Sequence, residues 1–241
     1  MTAAPTVLIT GASRGIGLEF TRQYAAGGAA VIATCRNPAK AAELTALAAR
    51  SGGRVVVEPL DVIDHGAVDA LAARYAGTAI DILINNAGDI GPRDPGLSRL
   101  HEQQFGTVNY AEFRRVLDVN TLAPLKVAEA FAPHVRASLQ RKMIFVSSAT
   151  ASNADGRFAV LAYCTSKAAL NKLVGMLALT LTPQGVICAA LCPGHVKTAL
   201  GGAGAVLEPA ESIGGLRQVI ADLTLADAGC YRDWNGRAIA W

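Results

Sequence analysis

The chain has 241 residues, 51% hydrophobic and 17% charged, with a formal net charge of +3. This is an ordinary globular composition, long enough for one large core, and so small a charge, with no Lys/Arg run, gives no sign of nucleic-acid binding. No apolar run reaches the ~18 residues of a membrane span, and the opening MTAAPTVLIT lacks the basic start and long apolar core of a signal peptide.

Apolar runs alternate with helix-patterned segments along the chain. Residues 6–10, 30–35, 54–61, 81–88, 142–148 and 186–194 are continuous runs rich in Val, Ile and Leu, which predicts strands covered on both faces. Segments 17–27, 38–52, 64–77 and 110–139 carry helical patterns between them, and so does the stretch from Ala162 to Thr182. The alternation predicts an α/β fold: a single-domain, Rossmann-type, doubly wound parallel sheet with helices on both faces, spanning 1–241. A turn at DWNG predicts a last edge strand over RAIAW. Two irregular stretches, 89–109 and 195–208, follow strand ends, where open α/β sheets place ligands; they are expected to wall a pocket.

The turn after the first strand carries Gly11, Gly15 and Gly17 in the spacing G-x-x-x-G-x-G. Glycines there let the backbone approach a pyrophosphate, and the next helix offers free N–H groups to it. The second strand ends in ATCRN, with Cys35 where an NAD site needs a carboxylate and Arg36 beside it. A guanidinium grips a 2′-phosphate through charge-assisted bonds, and Arg14 supplies a second cation, so the expected cofactor is NADP(H). A solvated helix-cap role for Arg36 is the alternative. Tyr163 and Lys167 lie four residues apart in LAYCTSKAALNKLV, on one helical face. A neighbouring ammonium favours the tyrosinate and brings a phenol with an ordinary pKa of about 10 toward working pH.

T-G-x-x-x-G-x-G at Thr10–Gly17, N-N-A-G at Asn85–Gly88, Y-x-x-x-K at Tyr163–Lys167 and P-G-x-V-x-T at Pro193–Thr198 occur in one order. In this the chain resembles the classical short-chain dehydrogenases/reductases over essentially its whole length. VIATCRNP and the ending DWNGRAIAW resemble the C-factor/sniffer-type branch of carbonyl reductases. The resemblance implies an NADPH-dependent oxidoreductase that moves hydride between the nicotinamide and a carbonyl or secondary alcohol. It implies Tyr163 as acid/base and Lys167 as its tuner and ribose ligand. It further implies Ser148 as donor to the substrate oxygen and Asn120 as the residue holding a water in a proton relay. Thr150 has the more usual spacing to Tyr163 but lies past the strand end; Ser147 is read as structural. A backbone-satisfied, helix-kinking role for Asn120 stays open.

On the cofactor side the resemblance implies Gly11, Ser13, Arg14, Gly15, Ile16 and Gly17 around the phosphates, with Arg36 at the 2′-phosphate. It implies Asp61 and Val62 at the adenine, Asn86, Ala87 and Gly88 along the adenosine, and Pro193, Gly194, Val196 and Thr198 at the nicotinamide. Asn86 is expected to brace the sheet more than to touch ligand. The expected partners are a small, hydrophobic carbonyl or alcohol and a second copy or more of the chain, as a homodimer or homotetramer through 110–139 and 162–182; no nucleic acid or membrane is expected. The four histidines show no zinc-ligand spacing, and hydride transfer needs no metal. Five scattered cysteines read as reduced, buried residues of a cytoplasmic protein. The rival reading is an NADPH-binding regulatory or signalling protein with little turnover.

Overall fold

In a computed structural model of the chain, residues 4–92, 98–154 and 160–241 are described. The six apolar runs form parallel strands: β1 (Thr6–Ile9), β2 (Ala30–Cys35), β3 (Val55–Pro59), β4 (Ile82–Asn85), β5 (Lys142–Val146) and β6 (Ile187–Cys192). A seventh, β7 (Tyr231–Asp233), completes a parallel sheet in the order β3-β2-β1-β4-β5-β6-β7. The order reverses at β1, so the cleft opens between the carboxyl ends of β1 and β4. Central strands β1, β4, β5 and β6 are buried along almost their whole length, and this explains their unbroken apolar sequence.

Two apolar clusters fill the two faces. One is built on α1 (Gly15–Ala26), α2 (Ala42–Arg50) and α7 (Pro209–Asp222), with Phe20 and Ile213 fully buried. The other is built on α3 (His65–Arg74), α5 (Ala123–Arg136) and α6 (Leu161–Leu181), with Phe131 and Val174 fully buried.

The structure departs from the sequence pattern in two places that matter. The predicted helix 110–139 is α4 (Tyr110–Leu117) and α5 joined by a π-helical turn, Asp118–Leu122. Pro124 lacks an N–H for the regular ladder, and the wider turn accommodates it. The last strand precedes the DWNG turn, because Tyr231–Asp233 has β6 to pair with. RAIAW then folds back antiparallel, with an Arg232–Ala238 bridge and the Ile239 N–H donating to the Tyr231 carbonyl at 2.9 Å. Within loop 89–109, Ser98–Gln103 forms a 3-10 turn, and residues 93–97 lie outside the described residues.

Candidate active site

The carboxyl ends of the strands enclose a cleft of about 1510 Å³. All the site residues expected from the sequence line it except Asn120. At one end is the glycine turn. Gly11 has φ +68°, and a Cβ on it would lie 2.8 Å from the Ala87 Cα; a Cβ on Gly17 would lie 2.4 Å from the Gly11 carbonyl oxygen. Only glycine lets α1 start so close under the turn. Arg14 caps α1 without a side-chain hydrogen bond, and the first turn holds no acidic residue. The amide dipoles at this helix start therefore have no carboxylate or hydroxyl of the helix to answer them, which suits an anion.

Thr10 ties this turn to the next strand: its hydroxyl accepts from the N–H groups of Asn86 (3.0 Å) and Ala87 (3.1 Å). The Asn86 amide donates to the carbonyls of Thr10 (2.7 Å) and Gly11 (3.1 Å), so its side chain braces the turn. Further out, Arg14 and Arg36 are exposed on the rim, and among the described residues neither makes an ion pair. Cys35 is buried beside Arg36, and burial pushes its thiol above the usual range. At the end of β2, the position where a carboxylate would repel a phosphate is taken by Cys35. The Asp61 carboxylate accepts from the Ile63 N–H at 3.4 Å, with Val62 buried next to it. An uncapped helix start, a glycine cradle and two unpaired guanidinium groups fit a phosphorylated dinucleotide.

Ser148, Tyr163 and Lys167 meet at the other end. Ser148 begins a 3-10 turn after β5; its hydroxyl accepts from the Thr150 N–H at 3.3 Å and lies 2.9 Å from the Thr150 hydroxyl. Ser148 also acts on the Tyr163 phenol, lowering its proton affinity. Lys167, one turn along α6, donates to the Val146 carbonyl at 2.7 Å. Both α6 side chains are buried, with Tyr163 8% and Lys167 4% exposed.

Burial reverses the tuning expected of this pair. It pushes the Tyr163 phenol up to about 12, with Ser148 opposing it, and pulls Lys167 down to about 8. Loss of water penalises both charged forms.

Asn120 sits behind the cleft in the π-helical turn, fully buried. Its amide donates to the Asp89 carbonyl (2.7 Å) and the Ser166 hydroxyl (2.9 Å), and its oxygen accepts from the Asp89 N–H (2.8 Å). The side chain is committed to bracing the segment after β4, which favours the structural alternative for it. Ser147 donates to Asn171 at 2.6 Å, also a bracing contact.

Sequence reasoning passed over several supports. Ser166 and Asn171 share the buried face of α6 with Tyr163 and Lys167, a spacing visible in the sequence. Gln103 donates to the Ile90 carbonyl at 2.6 Å and accepts from the Tyr163 N–H at 3.4 Å. No local pattern marks Gln103. Thr198, on the opposite wall, accepts from the Gly201 N–H at 3.2 Å, and Pro193 accepts from the Ser212 hydroxyl at 2.6 Å.

The short chain dehydrogenase family profile matches residues 5–204. The chain belongs to that family. Among curated relatives, C-signal of Myxococcus xanthus is 34% identical over 71% of this chain and 99% of its own length. Among solved structures, an NADPH-bound carbonyl reductase from chicken fatty liver is 33% identical over 100% of both chains, with a TM-score of 0.89. Carbonyl reductase Sniffer of D. melanogaster is 29% identical over 98% of this chain and 99% of its own, with a TM-score of 0.87. As a short-chain dehydrogenase the protein is an oxidoreductase dependent on a nicotinamide cofactor. Among the described residues no helix is long and apolar enough to cross a membrane.

Proposed function

We propose that the protein is an NADPH-dependent carbonyl reductase acting on a small, hydrophobic aldehyde, ketone or quinone. The observation that carries this reading is the pairing of one cleft's two ends: Arg14 and Arg36, without acidic partners among the described residues, at the first, and Ser148, Tyr163 and Lys167 lining the second. The NADPH bound by similar carbonyl reductases supports the cofactor choice.

The turn Gly11–Gly17, with Ser13 and Ile16, would hold the pyrophosphate, and Arg14 and Arg36 the 2′-phosphate. Asp61 and Val62 would flank the adenine, and Ala87 and Gly88 the adenosine. Lys167 would take the ribose hydroxyls, and Pro193, Gly194, Val196 and Thr198 the nicotinamide end. Bound NADPH supplies hydride to the carbonyl carbon. Ser148 donates a hydrogen bond to the substrate oxygen, where negative charge develops. Tyr163 delivers its hydroxyl proton to that oxygen. Its raised proton affinity keeps it protonated at neutral pH, the state that reduction needs.

The whole chain then works as one nucleotide-binding domain, with loops 89–109 and 195–208 as the substrate walls. Ile90 and Leu200 pack against Tyr163 from those loops, which supports an apolar substrate. Exposed Leu122, Met176 and Leu179 support pairing of the long helices into a homodimer or homotetramer.

The test is NADPH consumption with a panel of aldehydes, ketones and quinones, repeated on Tyr163→Phe. Reduction of at least one class, lost by about a hundredfold or more in the variant, is the expected result. NADPH binding with no turnover of any member would instead favour a regulatory protein.

A further inference from the structure

The proposed donor Ser148 is not held by its own turn alone. Its φ of −152° and ψ of 145° are extended, and the next peptide leads straight into a 3-10 turn. The hydroxyl direction therefore depends on how the Ser148–Ala149 peptide is oriented. That peptide is gripped at both ends. Its carbonyl accepts a hydrogen bond from the Tyr231 hydroxyl, and its N–H donates to the Cys192 sulfur at 3.1 Å.

The two gripping side chains come from neighbouring strands, β7 and β6, and lie on one face of the sheet. Both are buried, at 3% and 4% exposure. Little water competes for either bond there, so the Tyr231 bond is costly to lose, while the Cys192 sulfur, a weaker acceptor, adds direction more than energy. The Tyr231 ring is backed by Trp241 at the end of the chain, with centroids 5.3 Å apart.

We propose that Tyr231 and Cys192 are positioning residues that clamp the Ser148–Ala149 peptide and thereby aim the Ser148 hydroxyl at the substrate oxygen, with Trp241 holding Tyr231 in place. The inference rests on reading Ser148 as the donor. It gives the edge strand β7, distant in sequence from the catalytic motif, a share in the chemistry. A trans peptide presents its C=O and N–H in opposite directions, so two grips fix its rotation where one would leave it free to tilt. Small errors in the position of a reacting group cost large factors in rate.

The decisive variant is Tyr231→Phe in the full chain, which removes one hydroxyl and keeps the ring. With NADPH and the fastest carbonyl of the panel, kcat is expected to fall about tenfold, with the KM for NADPH near that of the parent and Tm lower only by the few degrees that one lost buried hydrogen bond implies. The same change in a Ser148→Ala background is expected to alter kcat less than about twofold, because the group being aimed is gone. A crystal structure of Tyr231→Phe is expected to show the Ser148 hydroxyl swung off Thr150. Trp241→Ala, an exposed terminal change, should lower kcat in the same direction, and Trp241→Phe should restore it.

An unchanged kcat in Tyr231→Phe, equal losses in both backgrounds, or a Ser148 hydroxyl still on Thr150 would each overturn the clamp alone. Full activity in Ser148→Ala would remove the donor reading and the clamp together.

Discussion

In the proposed reading, the choice of cofactor rests on one side chain, Arg36. Charge-assisted hydrogen bonds contribute about 1.5–3 kcal/mol each, and a carboxylate in its place would turn attraction into repulsion. Arg36→Asp is expected to lower the NADPH-to-NADH affinity ratio by at least about tenfold, measured by fluorescence titration of both cofactors. Lys167 makes a pH prediction. Burial lowers its proton affinity to about 8, so its ammonium is present below that pH and lost above it. Reduction should therefore decline as pH rises through about 8, and Lys167→Arg, which keeps its charge, should move that decline upward. A pH profile of kcat/KM on both proteins checks it. At this scale the sequence was informative about identity and misleading about energetics. Tyr163 and Lys167 stand together on α6 as their spacing says, but burial dominates their proton affinities, and sequence spacing carries no measure of burial.

At the scale of elements, the π-helical turn is an instructive departure. It brings Asn120 under the segment after β4, where three hydrogen bonds fasten Asp89 and Ser166 to it. Asn120→Ala strands the Asp89 N–H and C=O, and each unsatisfied buried group costs about 1–3 kcal/mol. Urea unfolding should register a loss of about 2–5 kcal/mol, while NADPH affinity changes little. Equal stability of the variant would return Asn120 to a role other than bracing. Five strands were legible because burial leaves an unbroken apolar record, and the half-exposed edge strand β3 because its Val-Val-Val run is β-prone. β7 was not, because Tyr-Arg-Asp has no such record; it is a strand only because β6 offers it an edge. The reach of Tyr231 to Ser148, 83 residues away in sequence, is invisible for the same reason: only the fold makes them neighbours.

Across the whole molecule, cofactor and stability are linked. The cleft draws on the ends of β1, β2, β4, β5 and β6, so whatever fills it fastens most of the sheet at one edge. A ligand that binds only the folded state at a hundred times its Kd stabilises by about 2.7 kcal/mol. Thermal unfolding should shift upward with NADPH and much less with NADH, and Arg36→Asp should erase the difference. Static light scattering should give a mass of two or four chains, and Leu179→Glu should reduce it.

The loop that carries Leu200 is held chiefly by bonds to itself: a Val196–Leu207 bridge, His195 on the Gly201 carbonyl at 2.8 Å, and Lys197 on Glu208 at 2.5 Å. It contributes almost nothing to the two large cores, yet its leucine helps shelter the phenol. Any excursion that lifts it lets solvent in and relaxes the phenol toward the acidity of free tyrosine. If that phenol is the acid, part of its strength is held by the posture of a stretch that neither large core anchors.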